Sequence, residues 1–189
     1  MKKTLLTSLI LTAAAAATAA PFNTYNSGTF TGTAVEIGAG ATKSDVKNSN
    51  LDEKYKADMA IRGNHNVQFG DSNWIGGAEV AVKPLHRTVG SSAAGDVKQK
   101  ADASVSYVQG YRLTDDVMAY GKVGYHYGKF EGPYDSKKNM NGIGYGVGVK
   151  YAATPNIELG AEWEQTRFKK DDTKINNNGV MATAAYRFR

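Results

Sequence analysis

The residues with the most chemical potential in this 189-residue chain are charged, and they share one feature: each sits on the polar parity of an alternating run. They are Glu36, Asp58, Arg62, Glu79, Lys83, Lys100, Asp102, Arg112, Lys122, Lys150, Glu158, Glu162, Glu164 and Arg187. Side chains that alternate strictly with apolar neighbours stand on one face of a strand. If that face lines a narrow enclosed space, the charges must pair and hydrogen-bond, because an isolated buried ion is expensive. Two chemistries fit such a set. One is a fixed ion-pair network that fills an interior. The other is a gate, in which pairs exchange to open a thin path for small ions.

Catalysis has little to draw on, since a nucleophile needs a base beside it. Of the three histidines, His65 falls near a short turn, His86 in a loop and His126 inside an alternating run. His86 with Ser91 or Ser92 is the one pairing to name, and a lone loop histidine reads more simply as a solvated side chain. No His/Cys/carboxylate spacing suits a metal, and Asp115-Asp116 and Asp171-Asp172 read as turn and loop acids. Cysteine is absent, which removes disulfides and thiolate sites. The expectation is no enzyme, no catalytic residue, no metal and no cofactor.

The elements that must position the charges are clearest in Gly142–Phe168, GIGYGVGVKYAATPNIELGAEWEQTRF. Ile143, Tyr145, Val147, Val149 and Tyr151 share one parity, and Gly142, Gly144, Gly146, Gly148 and Lys150 the other. After Ala152–Asn156, Ile157, Leu159, Ala161 and Trp163 face opposite to Glu158, Glu162 and Glu164. The alternating glycines are no phosphate loop, because no helix follows; they leave room for bulky side chains across the interior.

The same pattern recurs along the chain. Alternating runs are Thr29–Ala41 (Thr31, Thr33, Val35, Ile37 and Ala39 outward), Lys54–Phe69, Trp74–Lys83, Gln99–Leu113, Val117–Lys129 and Gly179–Phe188. With the hairpin they make eight strands. Short turns at Gly70–Asn73, Thr114–Asp116 and Ala153–Asn156 alternate with long polar loops at Thr42–Glu53, Pro84–Val97, Phe130–Asn141 and Lys169–Asn178. The aromatic residues Trp74, Tyr107, Tyr125, Tyr127, Tyr145, Tyr151, Trp163, Tyr186 and Phe188 all take the outward parity, as in the interfacial girdles of membrane barrels. The fold class expected is all-β, an eight-stranded antiparallel up-and-down transmembrane β-barrel.

Residues 1–19 carry two lysines, an apolar core and Ala17-Thr18-Ala19, which reads as an export signal, with residues 20–189 as the barrel domain. Removing Lys2 and Lys3 lowers the formal charge from +5 to +3, and the remaining basic residues are mixed with acids, so no nucleic-acid partner is expected. An even strand number places both termini at the short-turn side, periplasmic in outer-membrane barrels.

These residues resemble the barrel domain of the OmpA family. Gly110–Gly128 (GYRLTDDVMAYGKVGYHYG) resembles a turn-flanking strand pair of that family, Val147–Glu164 its last periplasmic turn, and Asn177–Phe188 its closing strand. The resemblance implies an outer-membrane anchor or small-pore role. Many relatives continue into a peptidoglycan-binding domain that has no counterpart before Arg189, and Arg189 follows the terminal aromatic Phe188 that usually ends such barrels. By alignment Glu79 matches an acid of the family's lumen gate. Lys150 stands where another acid is expected, and Val108 and Gly160 stand where bases are expected, so a Glu79–Lys150 pair is the simplest remnant.

The function expected is a structural outer-membrane protein supporting envelope integrity, with a narrow low-conductance pore as its extension. The alternative is a surface adhesin acting through the loops. Expected partners are outer-membrane lipid and lipopolysaccharide, the barrel-assembly machinery and a surface ligand of the loops, around a monomer.

Overall fold

The computed structural model describes residues 28–46, 55–84, 87–92, 95–131, 137–170 and 173–188. Its strands are β1 (Gly32–Val46), β2 (Lys56–Gln68), β3 (Trp74–Lys83), β4 (Arg87–Ser92), β5 (Gly95–Thr114), β6 (Val117–Glu131), β7 (Lys137–Ala152), β8 (Ile157–Lys170) and β9 (Thr173–Phe188). They pair antiparallel in the order β3-β2-β1-β9-β8-β7-β6-β5-β4, and β3 also pairs with β5, which closes the sheet. β3 lies opposite Asp102–Tyr111 and β4 opposite Gly95–Gln99, so these two strands share one stave of an eight-staved barrel. Closure lets the backbone satisfy its own hydrogen bonds, the condition hydrocarbon imposes.

Burial alternates along the staves as period-two patterning dictates. On β7, Ile143, Tyr145, Val147 and Val149 are exposed while Gly142, Gly144, Gly146 and Lys150 are buried. The glycine column meets large side chains from neighbouring staves. A Cβ at Gly144 would stand 2.3 Å from His126 Nε2, and one at Gly148 would stand 2.6 Å from the Tyr120 ring.

The strands run further than the sequence pattern suggests. Thr42–Val46, expected in a loop, continues β1; the segment Pro84–Val97 contains β4 and the start of β5; β7 begins at Lys137; and β8 and β9 reach Lys170 and Thr173. The physical reason is that a strand clear of the hydrocarbon meets water on its outer face. It then keeps its ladder without keeping an apolar parity. The start of the first strand also differs. Thr31, expected outward, is buried, because Phe30 (φ 69°) and Gly32 (φ 89°) turn the chain into the barrel mouth. The Thr31 hydroxyl donates to the Gly28 carbonyl at 2.6 Å and fixes that turn.

Residues 1–19, His86 and Asp171-Asp172 lie outside the described residues. Among the described residues no helix is long and apolar enough to cross a membrane, and crossing falls to the strands.

Candidate functional site: an ionic lumen between two apolar caps

The inward charges form one connected ladder. At the short-turn end, Arg187, fully buried, pairs with Glu158, donates to the Gly32 carbonyl at 2.8 Å and reaches Asn64 Oδ1 at 3.4 Å. Lys150 comes next, 3.9 Å from Glu158 and 2.5 Å from Glu36. Glu36 stands directly across the β1–β2 ladder from Arg62, with 2.6 Å between carboxylate and guanidinium. Arg62 carries the network to Glu162 at 2.7 Å. Lys122 then gathers three carboxylates, Glu162 at 2.9 Å, Glu164 at 2.8 Å and Glu79 at 3.1 Å. Lys83 completes the ladder by pairing with Glu164.

Further groups tie the network to its walls. The Tyr120 hydroxyl donates to Glu162 at 2.8 Å while its ring lies 5.7 Å from the Lys150 ammonium. Asp58 accepts from the Thr42 hydroxyl at 2.7 Å. Asp102 lies 3.3 Å from His126 Nδ1, and the imidazole meets Phe168 edge-on at 6.2 Å. His126 is thus buried between a carboxylate and a phenyl ring, and a hydrolytic arrangement would need a nucleophile in reach.

Three expectations about these charges are corrected. Glu79 and Lys150 do not pair: Glu79 on β3 takes Lys122 from β6, two staves away where Lys150 is three, and Lys150 on β7 takes Glu36 from β1, as many staves from it as Glu79 but reached round the other side of the barrel. Lys100 leaves the lumen, because a register shift between Gln99 and Ala101 turns Gln99 inward and sends Lys100 to Glu131 at 2.7 Å on the half-exposed rim. Arg112 is half-buried at the short-turn end and donates to Gln68 Oε1 at 2.7 Å, without a carboxylate partner among the described residues.

Apolar clusters close the ladder at both ends. Phe30, Ile75, Val108, Met118 and Tyr120 pack together at the short-turn mouth, and Phe130, Met140, Phe168 and Ile175 pack together at the long-strand end. Phe30 arrives there through its left-handed backbone, and the Asn66 side chain donates to its carbonyl at 3.2 Å. Sequence reasoning missed both caps. The signal was present for the upper one, since Phe130, Met140, Phe168 and Ile175 all fall on the inward parity once the strands are continued past their apolar stretches. Phe30, second in the run Thr29–Ala41, also takes its inward parity, with Gly32, Ala34 and Glu36.

The outward aromatics sort by height. Trp74 packs edge-on against Tyr111 at 4.9 Å, and Tyr186 against Phe188 at 5.1 Å, near the short turns, where Tyr151 also lies. Toward the other end Tyr145 meets Trp163 at 5.9 Å, with Tyr125 and Tyr127 exposed on β6. Tyr107 stands between the two levels, its hydroxyl turned to Gln109 at 2.6 Å.

A closed antiparallel barrel with an apolar, aromatic-rich exterior and a charged, side-chain-filled interior is the architecture of a bacterial outer-membrane protein. The chain belongs to the family described as outer membrane protein beta-barrel domain, whose model matches residues 6–188. Among relatives, Outer membrane protein X of Escherichia coli (strain K12) is 28% identical over 102 residues, covering 52% of this chain and 57% of that protein. Outer membrane protein X of Enterobacter cloacae is 33% identical over 84 residues, 41% of this chain and 46% of that protein. The chain therefore spans about half the length of these curated relatives.

Several solved structures share the fold. Ail, the attachment invasion locus protein of Yersinia pestis, in complex with the heparin analogue sucrose octasulfate, matches with a TM-score of 0.57 at 21% identity, covering 82% of this chain and 97% of that one. Neisserial surface protein A matches with a TM-score of 0.57 at 17% identity and the same coverage. The protein is an integral outer-membrane β-barrel.

Proposed function

We propose that this protein is a structural, non-enzymatic outer-membrane barrel that contributes to envelope integrity with its lumen held shut. The observation that carries the reading is the position of the ion ladder between two apolar clusters. A water-filled path would have to part Phe30 from Ile75 and Met118 at one end and Phe168 from Phe130 at the other, and also to break charge pairs between them. An eight-stranded barrel is only wide enough for its side chains to fill. Residues 1–19 act as the export signal in this reading. Both termini face the periplasm, the long-strand end faces out, the closing strand is read by the barrel-assembly machinery, and the protein works as a monomer.

Planar-bilayer recording of the refolded full chain tests it. The expected result is no discrete conductance steps in the wild type. Reproducible openings would replace the sealed reading with the small-pore one.

A second reading, surface recognition, draws on the long-strand end. There β4 has a strand partner on one side only among the described residues, and a free strand edge can accept an extended segment of another protein. Ail, similar in fold, has been solved with a sulfated sugar bound. Shortening the β3–β5 hairpin by removing residues 85–96 discriminates. Loss of host-cell binding with intact envelope resistance to detergent favours recognition, and the reverse outcome favours the structural role.

A further inference from the structure

Among the described residues, one lumen carboxylate has neither a guanidinium nor an ammonium for a partner. Asp102 is buried, both its oxygens lie 3.3 Å from His126 Nδ1, and it has no other ion-pair partner among the described residues. A carboxylate buried in this way needs a cation. Guanidinium, ammonium and carboxylate groups ordinarily keep their charge between about pH 5 and 8, and imidazole is the side chain whose charge ordinarily changes there. The Asp102–His126 contact is thus the lumen pair that a proton can make or break.

A second cation stands ready for Asp102. Lys83 is directly opposite it in the β3–β5 ladder but pairs with Glu164, which also holds Lys122 at 2.8 Å. If Lys83 turned to Asp102, Glu164 would still keep Lys122. The remaining charged group in the upper lumen is Asp58 on β2, bonded to Thr42. Lys122 lies four residues below His126 on β6, β7 meets the imidazole with Gly144, and β1 and β9 present Ser44 and Asn177.

The upper cap leans on the imidazole. Phe168 meets His126 edge-on at 6.2 Å and Phe130 at 5.3 Å. Beneath the Phe168 ring, β6 and β7 carry glycines: a Cβ would stand 3.0 Å from the ring at Gly128 and 2.9 Å from it at Gly142. Neither strand supports the ring there with a side chain of its own.

We propose that His126 is a proton-operated latch for the upper cap: protonated, it holds Asp102 and carries Phe168; deprotonated, it releases Asp102 to Lys83, and the cap opens a vestibule at the long-strand end. The proton leaves to water at that mouth. The Phe30 cluster is untouched, so the vestibule ends blind. The sign follows from the charges. The pair is complete in mild acid and is lost as pH rises through the ionisation of the imidazole, so acid shuts the cap and alkali opens it.

The chain has no cysteine, so Ser44→Cys gives a single reporter under the cap. Ser44 is buried opposite Asn177, and Ile175 of the cap lies two residues further along β9. Labelling of the refolded full chain by a water-soluble maleimide, in nanodiscs that leave both mouths free, tests the latch. Comparing variants at one pH removes the pH dependence of the thiol itself. At about pH 5.5, adding His126→Gln is expected to speed labelling about tenfold over the Ser44→Cys parent, and at about pH 8 the two should converge. At about pH 8, adding Asp102→Asn is expected to slow labelling about tenfold, since no carboxylate then draws Lys83 away. A His126→Gln difference that persists at the higher pH marks a side chain that only packs under Phe168, and overturns the latch. Equal labelling of His126→Gln and the parent in acid overturns it too, as does equal labelling of Asp102→Asn and the parent at the higher pH. If His126→Gln lacks the heat-shifted band of a folded barrel, the Asp102→Asn comparison decides alone.

Discussion

An arginine at Val147 is expected to destabilise the barrel most, one at Leu159 to destabilise it less, and Lys150→Arg to be tolerated best. Val147 is 58% exposed on the outer wall, four residues from Tyr151 at the short-turn side and six from Asn141 at the other, which places it near the bilayer midplane. Arginine on the lipid face costs about 2–4 kcal/mol at that depth and about 0–1 kcal/mol near the interface. Leu159 is 47% exposed but only two residues from the start of β8, so it has headgroups within reach. Lys150 is 5% exposed inside the lumen, where Glu36 and Glu158 already receive a cation. Urea titration in lipid vesicles, followed by the heat-shifted gel band, measures the order. Unfolding midpoints that coincide for Val147→Arg and Val147→Leu would show that this wall does not face hydrocarbon.

The depth grading explains how much of the molecule was legible in its sequence. Where one face meets lipid and the other a polar interior, alternation is enforced by free energy, and strands such as Trp74–Lys83 are readable to the residue. Beyond the headgroups that enforcement ends. Asn176 and Asn178 on β9 face Arg167 and Gln165 on β8, a polar ladder that composition alone describes as a loop. The fold was therefore readable across the membrane and unreadable above it.

The candidate site divides in a similar way. Inward parity identified Glu36, Arg62, Lys122, Glu162 and Arg187 as lumen residues, since parity is a property of one strand. Partner choice is a property of the closed barrel. Glu79 and Lys150 lie on β3 and β7, and which ammonium reaches Glu79 depends on stagger and on the space that Gly146 leaves beside Lys122. No single strand encodes that. Lys100 was misplaced for a related reason, because one irregularity in the β5–β6 register reverses the face of the residues past it.

The pairing itself is open to a direct energetic test. Lys122→Ala is expected to destabilise the barrel by about 3–5 kcal/mol, since it strips three buried carboxylates of a shared cation. Glu162 keeps Arg62 and Glu164 keeps Lys83, but Glu79 is left with only Arg62 Nε at 4.0 Å. Glu79→Ala costs less, because Lys122 retains Glu162 and Glu164. Adding Glu79→Ala to Lys122→Ala should therefore recover part of the loss, with a coupling of about 1–3 kcal/mol. The parallel cycle on Glu79 and Lys150 has no direct ion pair to remove, and any coupling there must pass through Arg62 and Glu36. It is expected to be additive within about 0.5 kcal/mol. Vesicle unfolding of the two cycles under identical conditions compares them. Coupling in the Glu79–Lys150 cycle as large as in the Glu79–Lys122 cycle would restore the pairing inferred from the family resemblance and undo the ladder described here.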